Sequence, residues 1–556
     1  MPAPCPTLCR TAALILAGFA LTGIAPANAQ LGPRVFDTNR LDTRVPRLGE
    51  ATTATPAVPT ATAADAEAGP FTRVEISGGG SLDATRAQAA LRPYLGRRLN
   101  RAELQRLATE VGAQYEERGL AIFAVLVPRQ GDDGVLRLQA VEGTVTDIVI
   151  QGDTEGADIS LIQAYAQRIA SERPLRRVTL ERYLLLMNDI PGRRVAGRLD
   201  PAGQAPGAAR LVLTMERINT VYGFGIDNLG NRSLGNVQGF VSLGLNALFG
   251  EGDSTRVGYG FPTDFQRFTF FTASHRQPIG TDGASVTISA NHLRTHETRR
   301  STLEGEALTA SLLFAYPVIR TANENLTVTA GLDVLETDQL LTGQIAASEA
   351  TRVLRAGVSY SLSDGATRAG AISLVVSQGL DVLGARQRLE FFYGDPSFTK
   401  ASAILAFNQA LFGGTLVLRA RAAGQYTGER LPSSELFTYG GAQFGRAFSA
   451  GSLAGDIGYS GSLALAVPLS FVPEAGPVIE VLRRSEVYAF IDYGRVQSHT
   501  PVPAPRGDRA ASAGFGTNIT VARNLFLTLE AARAIVEPRS VPGEGWRFVV
   551  SFRREI

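Results

Sequence analysis

The chain has 556 residues and a formal net charge of +2, so no general electrostatic attraction to nucleic acid is expected. Its 59 glycines, together with apolar residues that alternate along much of the chain, favour many strands and turns over a helical fold. Among 54 basic residues there is a single lysine, Lys400, which reads as compositional bias and not as mechanism.

Arg10 precedes the apolar run AALILAGFAL, and ANA at Ala27–Ala29 resembles a signal-peptidase site. This layout predicts a secretory signal peptide over residues 1–29, with Gln30 as the mature N-terminus. A membrane anchor is disfavoured, because the run is too short to cross about 30 Å as a helix. Cys5 and Cys9 both lie in this segment, so no disulfide or thiolate chemistry is expected afterwards. No other stretch holds eighteen consecutive apolar residues, which leaves a soluble protein or a membrane β-barrel. Residues 30–50 are polar, with Pro33 and Pro46, and can hold a short helix with a thin apolar stripe. Residues 51–69, rich in alanine, threonine and proline, cannot bury enough apolar surface to order themselves and read as a linker.

Residues 70–144 read as a small β-α-α-β-β unit. FTRVEIS is a strand, and SLDATRAQAALRPYLG is a helix stopped by Gly96. Asn100 and Glu103 form a capping box for a second helix, with Leu104, Leu107, Val111 and Tyr115 at helical spacing until Gly119. LAIFAVLVP and GVLRLQAVEG complete the unit as strands. Residues 145–216 repeat the order: VTDIVIQG, DISLIQAYAQRIA, TLERYLLLMNDIPG, RVAGRLDP and ARLVLTMER. Tandem units of this kind often carry an open strand edge to which an extended peptide can add.

From Arg217 onward the helical period disappears. In VYGFGIDN, Tyr222, Phe224 and Ile226 share a face opposite Gly223, Gly225 and Asp227; in WRFVVSFR, Trp546, Phe548, Val550 and Phe552 oppose Arg547, Val549, Ser551 and Arg553. LVLRARA and NLFLTLEAA alternate similarly. One apolar face and one polar or tiny face is the pattern of a barrel with lipid outside and water inside. A soluble sandwich also alternates, but the secretory signal, the absence of later cysteines and the length of the array favour the barrel. Membrane strands need about 10 residues plus turns, so the roughly 340 residues that remain accommodate about 16 antiparallel strands.

Several signals resemble chemistry without supporting it. His292 and His296 stand four apart beside Glu297, but lack the glutamate of HExxH, and metal binding is not expected. ISGGGS and GFGIDNLG lack the lysine or helix of a nucleotide site, and GYSGS is not G-x-S-x-G. No residue set pairs a nucleophile with its base. Neither an enzymatic activity nor a cofactor is expected.

The chain resembles a known family from about Phe71 to its C-terminus. In the first unit, Tyr115, Arg118, Gly119, Pro128, Gln130, Glu142 and Gly143 match a Y-x-x-R-G-Y, P-x-Q and V-x-E-G pattern. LLLMNDIPG, LDPAGQAPG, DNLGNRSLG, LNALFGEGD, YPVIRTANENL and GLDVLGAR follow in order. GGAQFGRAF, from Gly440 and Gly441 to Phe448, resembles a G-G-x-x-x-V-R-G-F/Y signature, with Gly445 for the valine and Ala447 for the second glycine. FIDYG, with Phe490, Asp492 and Gly494, resembles an F-x-D-x-G strand motif. These are motifs of the two-partner secretion transporters, also called haemolysin secretion/activation proteins, in the superfamily that includes the BamA-like barrel assembly proteins.

The resemblance implies a membrane β-barrel over residues 217–556 with a lumen loop at 440–456, preceded by POTRA-like domains at 70–144 and 145–216. It implies that Arg446 meets Asp492 inside the barrel; the alternative is an arginine that is merely solvated in the lumen. An alanine at position 447 would be strained if that position required a left-handed backbone. It implies that Tyr115, Arg118 and Gln130 lie where the first module receives cargo, and that residues 30–50 plug the pore. The implied function is capture of an unfolded exoprotein with a β-rich secretion domain in the periplasm and its export to the cell surface. The implied location is the outer membrane, in contact with its lipid, and the chain is expected to act as a monomer. The alternative within the superfamily is a barrel-assembly insertase; a passive porin would lack the tandem modules.

Overall fold

A computed structural model describes residues 69–555, apart from 204, 231–234, 299–301, 342–343, 389–393, 473–475, 500–506, 523 and 540–544. The expected signal peptide, residues 30–50 and nearly all of the linker lie outside the described residues.

The first module is built from β1 (Arg73–Gly78), α1 (Ala84–Leu91), α2 (Arg101–Glu117), β2 (Phe123–Leu126) and β3 (Val135–Glu142). The start of α2 is set locally: Asn100 Oδ1 accepts from the Glu103 N–H at 2.9 Å, and Glu103 Oε2 accepts from the Asn100 N–H at 3.0 Å. Leu104, Leu107, Val111 and Tyr115 then face a mixed sheet of order β1-β3-β2, in which β1 runs parallel to β3. The second module repeats this with β4 (Thr144–Gly152), α3 (Ser160–Ser171), α4 (Arg177–Asn188), β5 (Arg193–Pro201) and β6 (Ala208–Arg217), in the sheet order β4-β6-β5.

The two modules share their junction. Ala121 and Ile122, between α2 and β2, are buried in the core of the second module beside Leu175, Leu180 and Leu184. Backbone bonds from Ala121 N to Leu175 O (2.9 Å) and from Arg177 N to Gly119 O (2.7 Å) stitch the connection.

The barrel strands are β7 (Thr220–Asp227), β8 (Gln238–Asn246), β9 (Ser254–Pro262), β10 (Phe268–Ile279), β11 (Ala284–Thr298), β12 (Thr302–Arg320), β13 (Glu324–Leu341) and β14 (Gln344–Ser363). After them come β15 (Arg368–Gly379), the short outer strand β16 (Arg386–Arg388), β17 (Thr399–Leu411) and β18 (Leu416–Thr427). A hairpin of β19 (Phe437–Tyr439) and β20 (Leu453–Gly455) precedes β21 (Ile457–Pro468). A short helix, α5 (Gly476–Arg483), leads to β22 (Glu486–Gln497), β23 (Gly507–Ala522), β24 (Leu525–Val536) and β25 (Trp546–Glu555). Among the described residues, 16 antiparallel strands close the barrel, with β16 adding to β14 at the rim. Closure removes the free edges that lipid could not satisfy. Tyr222, Phe224, Ile226, Trp546, Phe548 and Val550 are exposed on the outer face, as their alternation predicts. The closing seam is short: β25 pairs with β7 over five residues, against nine between β24 and β25. Asn228 lengthens it with its side chain, donating to Phe548 O at 2.8 Å and accepting from the Val550 N–H at 2.8 Å.

The second module is docked on the turns at the barrel's near end. Arg182 donates to Pro317 O (2.9 Å) and to Asp282 Oδ1 (3.2 Å), and Tyr316 donates to Asp282 Oδ2 (2.6 Å). Arg320 grips Asp189 with two bonds of 2.7 Å. The β8–β9 turn sends Glu251 to the start of α3, where Oε2 accepts from the Leu161 N–H at 2.5 Å and the Ile162 N–H at 3.3 Å. A carboxylate at a helix N-terminus satisfies donors that have no partner within the helix. Asp158 returns the contact by accepting from the Glu251 N–H at 3.2 Å. Glu251 is buried, and burial raises its carboxyl to about 7, opposed by the two N–H donors.

Candidate functional site in the barrel lumen

The segment between β18 and β21 folds into the barrel. Its hairpin pairs Phe437 with Gly455 and Tyr439 with Leu453, and the tip lies between them. Within the tip, Gly440 N donates to Phe444 O (3.1 Å) and Gly441 N to Phe448 O (2.9 Å). The tip needs a left-handed residue immediately before the arginine, and Gly445 supplies it with φ of 74°. A Cβ at Gly445 would also sit 2.5 Å from the Tyr439 ring. Ala447 is not among the residues with positive φ, so the strain considered for alanine at that position does not arise.

Arg446 and Asp492 are brought together. Arg446 Nη2 lies 2.8 Å from Asp492 Oδ1, and Nε lies 3.1 Å from Oδ2. The backbone N–H groups of Gly445 and Arg446 each donate to Asp492 Oδ2 at 3.1 Å, and Ser512 Oγ donates at 3.2 Å. The Asp492 side chain is fully buried, and that of Arg446 is 11% exposed. The rest of the guanidinium is used as well. It donates to Ser462 Oγ (2.9 Å) and Glu530 Oε2 (3.3 Å), and its carbon lies 3.3 Å from the centre of the Phe490 ring. Tyr488 OH donates to the same Glu530 oxygen at 2.9 Å. A planar arginine fork on a carboxylate that accepts five donors is a geometry lysine could not reproduce.

Strand register explains the convergence. Ser462, Asp492 and Ser512 are direct partners across β21, β22 and β23, so three polar side chains stand at one level of the wall. Phe490, one inward position along, belongs to the same buried apolar cluster as Tyr439, Phe448 and Leu453. Gly494, the next inward position beyond Asp492, is glycine because the Tyr439 ring lies where its Cβ would be. The Phe448 carbonyl accepts from Arg547 on β25. Glu530, Ser462, Ser512 and Arg547 were not anticipated from the sequence. Their inward parity is readable from alternation, but the register that aligns them is not. Among the described residues no cluster of His, Cys, Asp and Glu is arranged to hold a metal; His292 and His296 lie on β11, pairing with Glu306 (2.7 Å) and Glu304 (3.3 Å).

The residues expected to receive cargo are placed differently. Tyr115 is fully buried, its ring stacked on Phe123 at 5.3 Å, so it is a core residue and cannot touch a docking peptide. Gln130 spends its amide on the β2–β3 turn, donating to Pro128 O (2.7 Å) and Arg137 O (3.0 Å) and accepting from the Arg137 N–H (2.7 Å). Only Arg118 is exposed, and it donates to Ser81 O. Tyr115 and Gln130 thus hold the module together, which leaves Arg118 as the one of the three that a docking peptide could reach.

A polar lumen filled by the chain's own loop, an apolar exterior and two mixed-sheet modules docked beneath define an outer-membrane β-barrel with periplasmic POTRA domains. A family model described as haemolysin secretion/activation protein ShlB/FhaC/HecB matches residues 207–519, more than half of the chain, and one described as POTRA domain, ShlB-type, matches residues 70–143. The chain belongs to this haemolysin secretion/activation family. It is similar to the heme/hemopexin transporter protein HuxB of Haemophilus influenzae strain 86-028NP, 25% identical over 195 residues, and to the outer membrane transporter CdiB of Dickeya dadantii, 29% identical over 174 residues. These matches span about a third of the chain (34% and 31%) and of the relatives' own length (34% and 30%). CdiB-2 of Burkholderia pseudomallei is 25% identical over 459 residues, 76% of this chain and 72% of that one. Among solved structures, CdiB from Escherichia coli shares the fold with a TM-score of 0.70 and 18% identity, over 88% of this chain and 90% of that one. BamA from Haemophilus ducreyi follows at 0.53 and 14% identity, over 87% and 99%.

Proposed function

We propose that this chain captures an unfolded exoprotein in the periplasm and conducts it through the barrel to the cell surface, as a two-partner secretion transporter. The partner is a secreted protein with a β-rich secretion domain, and the transporter works as a monomer. The observation that carries this reading is the lumen loop, held to the wall by polar contacts around Arg446 and Asp492. Release of the loop exchanges these ion pairs for hydration, uncovers the small apolar patch of Tyr439, Phe448 and Leu453, and opens a passage. The modules supply open strand edges, β1 among them, for main-chain capture of an extended peptide. Folding of cargo outside would prevent its return and make transport directional.

The proposal is tested by co-producing the chain with a candidate exoprotein, a large secreted protein of repetitive β pattern sought in the neighbouring gene, and measuring export to the medium. Export should occur, and Arg446→Ala should abolish or sharply reduce it while the heat-modifiable barrel persists. Wild-type export by Arg446→Ala would reduce the arginine to a solvated lumen charge. The insertase reading has one observation in its favour, the short β25–β7 seam. It predicts that depletion impairs assembly of other barrels and leaves the neighbouring protein's export untouched.

A further inference from the structure

The lumen loop is held at a second place, well away from its tip. On the chain leading into β19, Glu435 is buried against the wall of β13 to β18. Its Oε1 lies 2.7 Å from Arg355 Nη2 on β14, and its Oε2 lies 2.7 Å from Lys400 Nζ on β17. Lys400 Nζ also donates to the Glu435 carbonyl at 2.7 Å, and Gln425 on β18 donates to that carbonyl at 2.9 Å. Arg355 completes its fork on Asp333 of β13 (2.5 Å) and Ser377 of β15 (2.7 Å). The residues just before Glu435 are held too. Glu349 of β14 accepts from Ser433 N (2.9 Å) and Oγ (2.6 Å), and from Ser434 N (3.2 Å) and Oγ (2.5 Å).

We propose that Glu435, Lys400 and Arg355 form a second, independent clamp that positions the stem of the lumen loop for transport. It deepens the export reading for its secretion arm and stands apart from it for its structural arm. Four facts point this way. The cluster joins a loop to a wall rather than wall to wall. Its charges balance, with Glu435 and Asp333 against Arg355 and Lys400. Its side chains are desolvated, with Lys400 and Glu435 exposed by 3% and 6%. Its partners stand on β13 to β18, whereas the tip is held by β21 to β25. The residue first read as compositional bias is thus the cation at the base of the loop. A buried ion pair roughly breaks even against an apolar contact of the same size, yet losing one partner is costly. Such a clamp holds while complete, and both halves remain soluble in a wet lumen once parted.

The single lysine gives a direct assay. The full-length protein in detergent is treated with N-acetoxysuccinimide, and acetylation of Lys400 is followed by mass spectrometry against an added lysine-containing reference peptide. In the wild type Lys400 should react slowly. Glu435→Gln should raise its rate at least about tenfold, with the heat-modifiable barrel intact. Arg446→Ala alone should leave it protected, because the tip clamp is separate. In the export assay, Lys400→Arg should keep most of the activity and Lys400→Met should lose it about tenfold. Protection of Lys400 in Glu435→Gln, exposure of Lys400 by Arg446→Ala alone, or wild-type export by Lys400→Met would each overturn the proposal. If the wild type exports nothing, the export reading fails and the acetylation rates still decide the clamp.

Discussion

Asp492→Ala and Arg446→Ala remove the two halves of one contact, yet the structure makes them unequal. With arginine gone, Asp492 keeps three donors: the N–H groups of Gly445 and Arg446, which belong to the backbone, and Ser512 Oγ. With aspartate gone, the guanidinium keeps Ser462, the longer contact to Glu530 and the Phe490 ring, and the two backbone N–H groups lose their acceptor. Removing one partner of a buried pair costs about 3–5 kcal/mol where the other charge is left uncompensated, as the guanidinium is in Asp492→Ala. The arginine deletion, with three compensating donors left, should cost about 1.5–3 kcal/mol, the range for a hydrogen bond to a charged group. Each 1.4 kcal/mol is about tenfold in a population. The centres of the two ranges lie about 1.75 kcal/mol apart, so released loop should be about twentyfold more abundant in Asp492→Ala than in Arg446→Ala, and both should exceed wild type. Ala447, 2% exposed, is a reporter position. With Ala447→Cys as the only cysteine beyond the expected signal peptide, maleimide labelling in detergent reads the open population. Equal rates in the two variants, or no rise over wild type, would refute the idea that Asp492 organises the tip.

Gly494→Ala should push the Tyr439 ring off the wall at a cost of about 1–3 kcal/mol, lowering the thermal midpoint; Tyr439→Ala in the same chain should recover part of the loss, and no loss in the single variant would show that the ring has room. Glu251 has a raised carboxyl, about 7 against an unfolded value near 4.3, so the docked state binds the extra proton. Docking of the second module should accordingly be strongest near pH 4–5, weaken as pH rises to about 7 and level off above it, with the slope removed in Glu251→Gln; proteolysis of the module–barrel junction across that range measures this. Removing residues 30–50 should raise single-channel conductance in planar bilayers if that segment plugs the pore, and unchanged conductance would end that expectation.

What could be read from the sequence was what is local or periodic. The capping box of Asn100 and Glu103 spans three residues, and its bonds are where the spacing puts them. The outward Tyr222, Phe224 and Ile226 follow from period-2 alternation. Arg446 and Asp492, 46 residues apart, could be paired only through the family's motifs, because nothing in spacing specifies register between β21 and β23. The same limit hid Ser462, Ser512 and Glu530. Tyr115 shows the opposite error: its place in a recognisable pattern suggested docking, while its helical spacing with Leu104, Leu107 and Val111 already marked it as core. Glu435 sits in SSELF with no periodic signal at all, and Lys400 was conspicuous only by its rarity.

The shared junction of the two modules has a mechanical consequence. Because Ala121 and Ile122 are seated in the second module's core, and that module is bolted to three successive barrel turns by Glu251, Asp282 and Arg320, the arm has no obvious pivot at either joint. A passive peptide captured on the first module would then be delivered along a fixed bearing, like thread held in a guide. On the proposed export reading, the freedom for gating would come from the lumen loop, and load applied to the arm by cargo would be transmitted into the barrel's rim instead of being absorbed by a swinging hinge.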